Sequence, residues 1–254
     1  MPARDNDRGL KSIKKTLDII NLISELNGAR TSEIAAELDI PKSTVHIHLQ
    51  SLLDRRYLVK ENDIYYTGLK FLDIGIQTRE RLPIVEAAHA ELETLAEKTE
   101  ETVWLFTEEE GLCVYLDLHT SDQSIRARGR VGKREKMHYV SGGKVQLAHM
   151  NNEKVEEIID RHGLPKKTEN TITNKRQLFD ELETIRENGY AVNDVEEIPG
   201  VYAVAAPILY NQDVVGAVSV SGPENRMKQN EKKEMVQESV LAAGNTISLK
   251  LDYD

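Results

Sequence analysis

A single cysteine, Cys113, in a chain of 254 residues excludes an internal disulfide framework. No apolar run approaches the length of a membrane span, and the charged N-terminus lacks the apolar core of a signal peptide, so the expected location is cytoplasmic, with no membrane partner. Aromatic side chains are few, at three Phe, one Trp and nine Tyr, so a pocket rich in stacking surfaces is not obvious, although Trp104 on an early strand could line one. Motifs of catalysis are missing as well. There is no G-x-S-x-G elbow, no H-E-x-x-H and no paired C-x-x-C. Ser141-Gly142-Gly143-Lys144 imitates a phosphate loop only superficially, because that pattern needs glycine where His138 stands and Ser or Thr where Val145 stands. His46 and His48, about 200° apart around a helix, cannot share a metal through adjacent faces. Neither catalytic nor metal-ligating residues are therefore assigned, no cofactor is expected, and an enzyme is not the leading reading.

Basic charge is scarce overall, with a net charge of -10, but it is unevenly spread. Residues 1–60 hold ten Lys/Arg against eight Asp/Glu, whereas the rest of the chain is strongly acidic. Phosphate neutralisation depends on local basic groups rather than on total charge, and Lys11, Lys14, Lys15, Lys42, Arg55 and Arg56 are its candidates.

What is present in that balanced segment is a two-helix pattern. Thr31 is positioned to cap a helix that carries Glu33 in its first turn and buries Ile34, Ala35 and Leu38. Asp39-Ile40-Pro41 interrupts it. A second helix follows with Val45, Leu49, Leu52 and Leu53 as its apolar stripe. Its other face presents Lys42, Ser43, Thr44, His46, Ile47, His48 and Gln50, a mixture of small, basic and imidazole groups suited to a DNA major groove. Any two amphipathic helices joined at a proline share this outline, so the flanks carry weight. Ile13, Leu17, Ile20, Ile23 and Leu26 predict an upstream helix closed at Asn27-Gly28, and Tyr57–Val59 with Ile64–Tyr66 predict a hairpin. Three helices and a hairpin make a winged helix-turn-helix.

Leu69, Leu72 and Ile76 share one face of a connecting helix, and Pro83 opens a further helix from Ile84 to Lys98. The expected domains are a winged helix-turn-helix over 1–68, a linker helix over 69–82 and an effector-binding, oligomerisation domain over 83–254. Within the last, strands are predicted at Thr102–Thr107, Leu112–Leu118, Ser124–Val131, Tyr190–Asn193, Val201–Tyr210 and Val214–Ser221, and helices at Asn152–His162, Asn174–Asn188 and Asn230–Leu251. The fold class is α+β with a largely antiparallel sheet.

Asp39-Ile-Pro-Lys-Ser-Thr-Val-His46 with Leu49-Gln-Ser-Leu52, and GYAVNDVEEIPGVYAVAAPI with VVGAVSVSGP between Gly189 and Pro223, resemble the IclR family of bacterial and archaeal transcription regulators. The resemblance spans nearly the whole chain. It implies a GAF-like effector domain, a homodimer or tetramer, double-stranded operator DNA as partner, and a small-molecule effector of organic-acid or aromatic type. It also implies a pocket beside a loop containing Met137 and His138, with Gly143, Asn193, Ala203, Ser219 and Ser221 at family pocket positions. The chain departs from the family where an acidic residue is common (Asn193), where cysteine is common (Ala203), and where Arg-Leu usually follows Thr-Val-His (Ile47-His48). The leading function is thus a ligand-responsive DNA-binding regulator; the alternative is a small-molecule-binding enzyme with an appended DNA-targeting module.

Overall fold

The computed structural model describes residues 10–121 and 129–253, and their contacts divide the chain after Thr78 into two compact units. The first unit contains α1 (Lys11–Glu25), α2 (Thr31–Glu37), α3 (Lys42–Asp54), the hairpin β1 (Leu58–Glu61) and β2 (Ile64–Thr67), and most of α4 (Lys70–Glu80). Ile19, Ile23, Ile34, Val45, Leu49 and Leu58 are the centre of its core. Asn27 and Gly28, both at positive φ, end α1, with the Gly28 N–H bonding the Ile23 carbonyl at 2.9 Å. The α2 helix is capped one residue earlier than the sequence expectation of Thr31: Arg30 occupies the N-cap, and its N–H donates to Glu33 Oε2 at 2.6 Å. Asn62 and Asp63 supply the positive φ values that a two-residue hairpin turn requires.

The buried face of α1 also differs. Ile19 and Ile23 are inside, whereas Ile13, Leu17 and Leu26 are exposed. The helix carries two apolar stripes, and periodicity cannot say which one the subunit buries.

The second unit is built on a six-stranded antiparallel sheet. Its strands are β3 (Thr102–Glu109), β4 (Leu112–His119), β5 (Arg134–Lys136), β6 (Ala191–Asp194), β7 (Val201–Tyr210) and β8 (Asp213–Pro223), in the order β5-β4-β3-β8-β7-β6. Alternation sends Val103 and Leu105 to a core shared with α5 (Pro83–Thr99) and α10 (Asn230–Tyr253), and Trp104 and Phe106 to the opposite core. That second core is covered by α6 (Ser141–His149), α7 (Asn152–His162) and α8 (Lys175–Asn188). Asn151 and Asn174 cap α7 and α8 through their side chains, and Gly163 and Gly189 follow their last residues. A short α9 (Glu224–Met227) joins β8 to α10.

Of the strand expected over Ser124–Val131, residues 124–128 lie outside the described residues, and Gly129, Arg130 and Val131 are not in a strand. The Met137–Lys144 stretch, read as a loop leading to a helix start, is a 3-10 turn over Met137–Tyr139 followed directly by α6. This helix is buried on all sides from Ser141 to Ala148, so it has no amphipathic signature. Among the described residues no helix is long and apolar enough to cross a membrane.

Candidate DNA-binding and effector sites

The α3 helix starts from Pro41, whose carbonyl accepts from the Thr44 and Val45 N–H groups at 2.9 and 3.0 Å. Lys42, Ser43, His46, Ile47 and Gln50 are exposed and Thr44 is half-buried. Gln50 donates to Asp54 one turn on, at 2.8 Å. His48 has a different environment from its neighbours: it is half-buried, and its Nδ1 lies 2.8 Å from Thr16 Oγ1 on α1. Thr16 lies near Ile19 and Ile23 around α1, and this hydrogen bond turns His48 toward the bundle instead of the solvent face. The free face of the helix therefore runs through His46 and Ile47.

In the second unit a cavity of about 310 Å³ opens over the sheet. Trp104, Phe106 and Tyr115 form an aromatic floor, with Tyr115 edge-on to both rings at 5.0 and 4.7 Å. Asn193, Ala203, Ser219 and Ser221, which sequence reasoning grouped, all line it. Cross-strand pairing explains why: Ala203 stands opposite both Asn193 and Ser221, and Ser219 and Ser221 are two apart on β8. Ser219 Oγ lies 3.1 Å from Ser141 Oγ, and Asn193 bridges Tyr139 O (2.7 Å) and the Glu196 N–H (2.8 Å), fixing the start of α6 against the β6–β7 connection.

Met137, His138 and Gly143 are not part of this lining. The first two border a separate small depression near His162, where His138 Nε2 is 3.1 Å from Pro165 O and burial lowers its pKa to about 4. Gly143 serves packing: a Cβ there would lie 2.4 Å from the Met137 carbonyl oxygen, so α6 can approach the 3-10 turn only with glycine. Val140 and Ser141 are the residues of this region that reach the cavity.

Sequence reasoning missed Lys133 and Glu197. Lys133 Nζ reaches Glu197 at 2.9 Å and Glu135 at 3.0 Å and lies 5.2 Å from the Tyr115 ring centroid. Partial burial works against the lysine charge, but the two carboxylates outweigh it and hold its pKa above the ordinary value. Tyr115 OH donates to Glu197 as well, at 3.2 Å, and burial with the nearby carboxylates pushes the phenol far upward. Among the described lining residues, Lys133 is the only lysine or arginine. Glu197 is 64 residues from Lys133 and 62 from Glu135, with no motif linking it to either.

A winged helix-turn-helix joined to an α+β unit with a ligand-sized cavity defines a sensor-type DNA-binding regulator. Residues 12–62 match the IclR helix-turn-helix domain and residues 76–249 match the bacterial transcriptional regulator IclR C-terminal domain. The chain belongs to the IclR family of transcription regulators. It is 30% identical over 250 residues to the probable HTH-type transcriptional regulator ArcR of Halobacterium salinarum, covering 96% of this chain and 95% of that protein. Its identity to the regulator KdgR of Escherichia coli is 27%, over 100% of this chain and 98% of that protein. The crystal structure of Thermotoga maritima IclR is 31% identical and superposes with a TM-score of 0.81, covering 95% of this chain and 99% of that one. An IclR homologue from Microbacterium hydrocarbonoxydans, solved in complex with 4-hydroxybenzoate, shares the fold at 20% identity and a TM-score of 0.81, over 94% and 98% of the two chains.

Proposed function

We propose that this regulator binds operator DNA as a cytoplasmic homo-oligomer and that a small organic acid in the 310 Å³ cavity sets its DNA affinity. The observation that carries this reading is the convergence of Lys133 and the start of α6 over an aromatic floor. The first N–H groups of a helix are unpaired and favour negative charge, and the lysine supplies a full positive charge. A carboxylate entering there competes with Glu197 for Lys133, while Trp104 and Tyr115 offer their faces and edges to an apolar body. Microbacterium hydrocarbonoxydans IclR, with its bound 4-hydroxybenzoate, supports an acid of this size and kind. Of the serine hydroxyls in the cavity, Ser141 and Ser219 pair with each other and Ser221 donates to the Thr102 carbonyl, none of them to a base, so we read the site as one that binds without turnover.

A thermal-shift screen of aliphatic and aromatic carboxylic acids on the full chain, followed by titration, tests the site. Lys133→Met is expected to weaken acid binding at least about tenfold, the scale of one lost charge-assisted hydrogen bond. Ser219→Val is expected to weaken it by filling the cavity. An effector that binds both variants as it binds the wild type places the pocket elsewhere, and conversion of the acid to product supports the enzymatic alternative.

The proposed DNA contacts follow the exposure of α3. Lys42, Ser43 and Thr44 at its N-terminus suit phosphates, whereas His46, Ile47 and Gln50 suit base edges or thymine methyls. Ser43→Ala with Thr44→Ala is expected to weaken binding to many sequences alike. His46→Ala is expected to change sequence preference by about 1–3 kcal/mol at one base pair. His48→Ala is expected to act through the Thr16 contact, lowering stability more than it changes preference. Binding of a randomised DNA library by each variant checks this; unchanged selection by His46→Ala refutes the base-reading assignment.

A further inference from the structure

On the sheet face opposite the cavity, His89 of α5 meets Asp117 and His119 of β4. Each offers one ligand atom, and these three atoms lie within 4.8 Å of one another; among the described residues no other such group of His, Cys, Asp and Glu occurs. The two imidazole rings stand edge to face at 5.3 Å, and His119 Nε2 is 3.9 Å from Asp117 Oδ2.

The backbone creates this meeting by a β-bulge. Tyr115 pairs with Phe106 but Asp117 pairs with Leu105, leaving Leu116 as an extra residue. Up to Tyr115, odd-numbered residues of β4 face the aromatic core, as Cys113 and Tyr115 do. Past the bulge the parity reverses, so Asp117 and His119 stand opposite Leu105 and Val103 on the face that α5 covers. Without the extra residue both would point away from His89.

We propose that His89, Asp117 and His119 bind a first-row transition-metal dication, with zinc as the reference ion, and that Arg79 is its built-in competitor. Two imidazoles and one carboxylate are the ligand set of such ions, whereas calcium and magnesium prefer oxygen donors throughout. Bond lengths of about 2.0–2.2 Å need ligand atoms closer than they now stand, and exposed His89 has the rotamer freedom to close the gap. Water would complete a four-coordinate shell. Arg79, the first residue of the second unit and part of the last turn of α4, currently neutralises Asp117 through its Nη2. It does so incompletely: its Nε is buried without a hydrogen-bond partner among the described residues, while Asp117 Oδ1 is satisfied by the Leu118 N–H at 2.8 Å. A dication and the guanidinium cannot both hold Asp117 Oδ2 at low cost, so metal binding releases Arg79.

Equilibrium dialysis of the untagged full chain against zinc, with metal analysis, tests the site. Wild type is expected to bind one zinc per chain, His89→Ala and His119→Ala each to weaken it at least about tenfold, and Arg79→Ala to tighten it. His89→Ala alters an exposed side chain, so its fold is expected to persist and can be checked by circular dichroism. Absence of bound zinc, or zinc binding that survives both histidine substitutions, overturns the site. An Arg79→Ala variant that binds zinc no more tightly than wild type overturns the competition.

Discussion

Lys144→Met is expected to destabilise the second unit by about 3–5 kcal/mol, the cost of removing one partner from a buried ion pair. Lys144 lies on the buried helix α6 with no exposed side-chain surface, and its ammonium bonds Glu196 at 2.6 Å and Glu181 at 2.9 Å. Glu196 is itself buried, and among the described residues its Oε2 has no hydrogen-bond partner, so Lys144 supplies most of what offsets its charge. Burial already holds the Glu196 carboxyl above the usual range in spite of the lysine. The sign of the pH dependence follows. Removing Lys144 raises that pKa further, so the neutral acid, tolerated when buried, prevails at low pH, and the deficit relative to wild type grows as pH rises through the folded pKa. Urea unfolding followed by the fluorescence of Trp104, the chain's only tryptophan and a residue of this unit, reads the change without interference from the first unit. The deficit is expected to be smaller at acidic than at mildly alkaline pH, and Lys144→Met with Glu196→Gln to be less destabilised than Lys144→Met alone. A loss below about 1 kcal/mol for the single variant, within the range of an exposed pair, contradicts this account.

The same residues position the candidate effector site. Glu196 is followed by Glu197, and the connection from Val195 to Gly200 carries two positive φ values, one of them at the β-branched Val195. A valine there is strained and persists only where its surroundings hold it. Lys144 with Glu196 and Lys133 with Glu197 are among those restraints, beside the Thr168 and Thr171 hydroxyls that donate to the Val195 and Glu196 carbonyls. An acid that displaces Glu197 removes one of them, which gives a ligand differential contacts with two arrangements of this segment.

Local chemistry was legible from the sequence where one physical cause dominates. The α7 and α8 helices declare themselves by an asparagine cap and a terminal glycine, and the α10 stripe of Val236, Val240, Ala243 and Ile247 by its 3.6-residue period. Four cavity residues, Asn193, Ala203, Ser219 and Ser221, were found through family positions, and their pairing on adjacent strands accounts for their meeting. What escaped depends on the third dimension. The α6 helix has no polar face to produce a period, and β5 has only three residues, Arg134–Lys136, all polar. The Lys133–Glu197 pair and the His89–Asp117–His119 group join distant segments, and the latter depends on a bulge that reverses side-chain parity. His48 is polar and outside the apolar stripe of Val45, Leu49, Leu52 and Leu53, which groups it with the groove-facing residues in the sequence; only the position of Thr16 on α1 reveals its hydrogen bond.

The apolar face of α4 leads to the remaining expectation: Leu72→Glu with Ile76→Glu will yield a monomer whose operator affinity falls at least about a hundredfold. Leu69, Leu72 and Ile76 are 82%, 59% and 40% exposed, so the subunit does not bury this face itself, and α4 has no buried residue along its length. Ile13 and Leu17 of α1, with Leu10 at its N-cap, form a second exposed apolar stripe, after Ile19 and Ile23 take the inward one. Exposed apolar surface of this kind is costly to leave in water, and a second copy of the chain is the partner we propose for it. The DNA argument points the same way. One recognition helix reads only a few base pairs, whereas two, held about 34 Å apart, reach successive major-groove faces and add their binding free energies, so losing one contact set costs far more than a factor of two. Two buried carboxylates in place of leucine and isoleucine oppose association strongly, yet cost little in the monomer because both sites are exposed there. Light scattering of the free and DNA-bound protein, with circular dichroism to check the fold, decides it: wild type that is monomeric in both states, or a folded double variant that still dimerises and binds its operator at full strength, refutes the assignment of α4 to the interface.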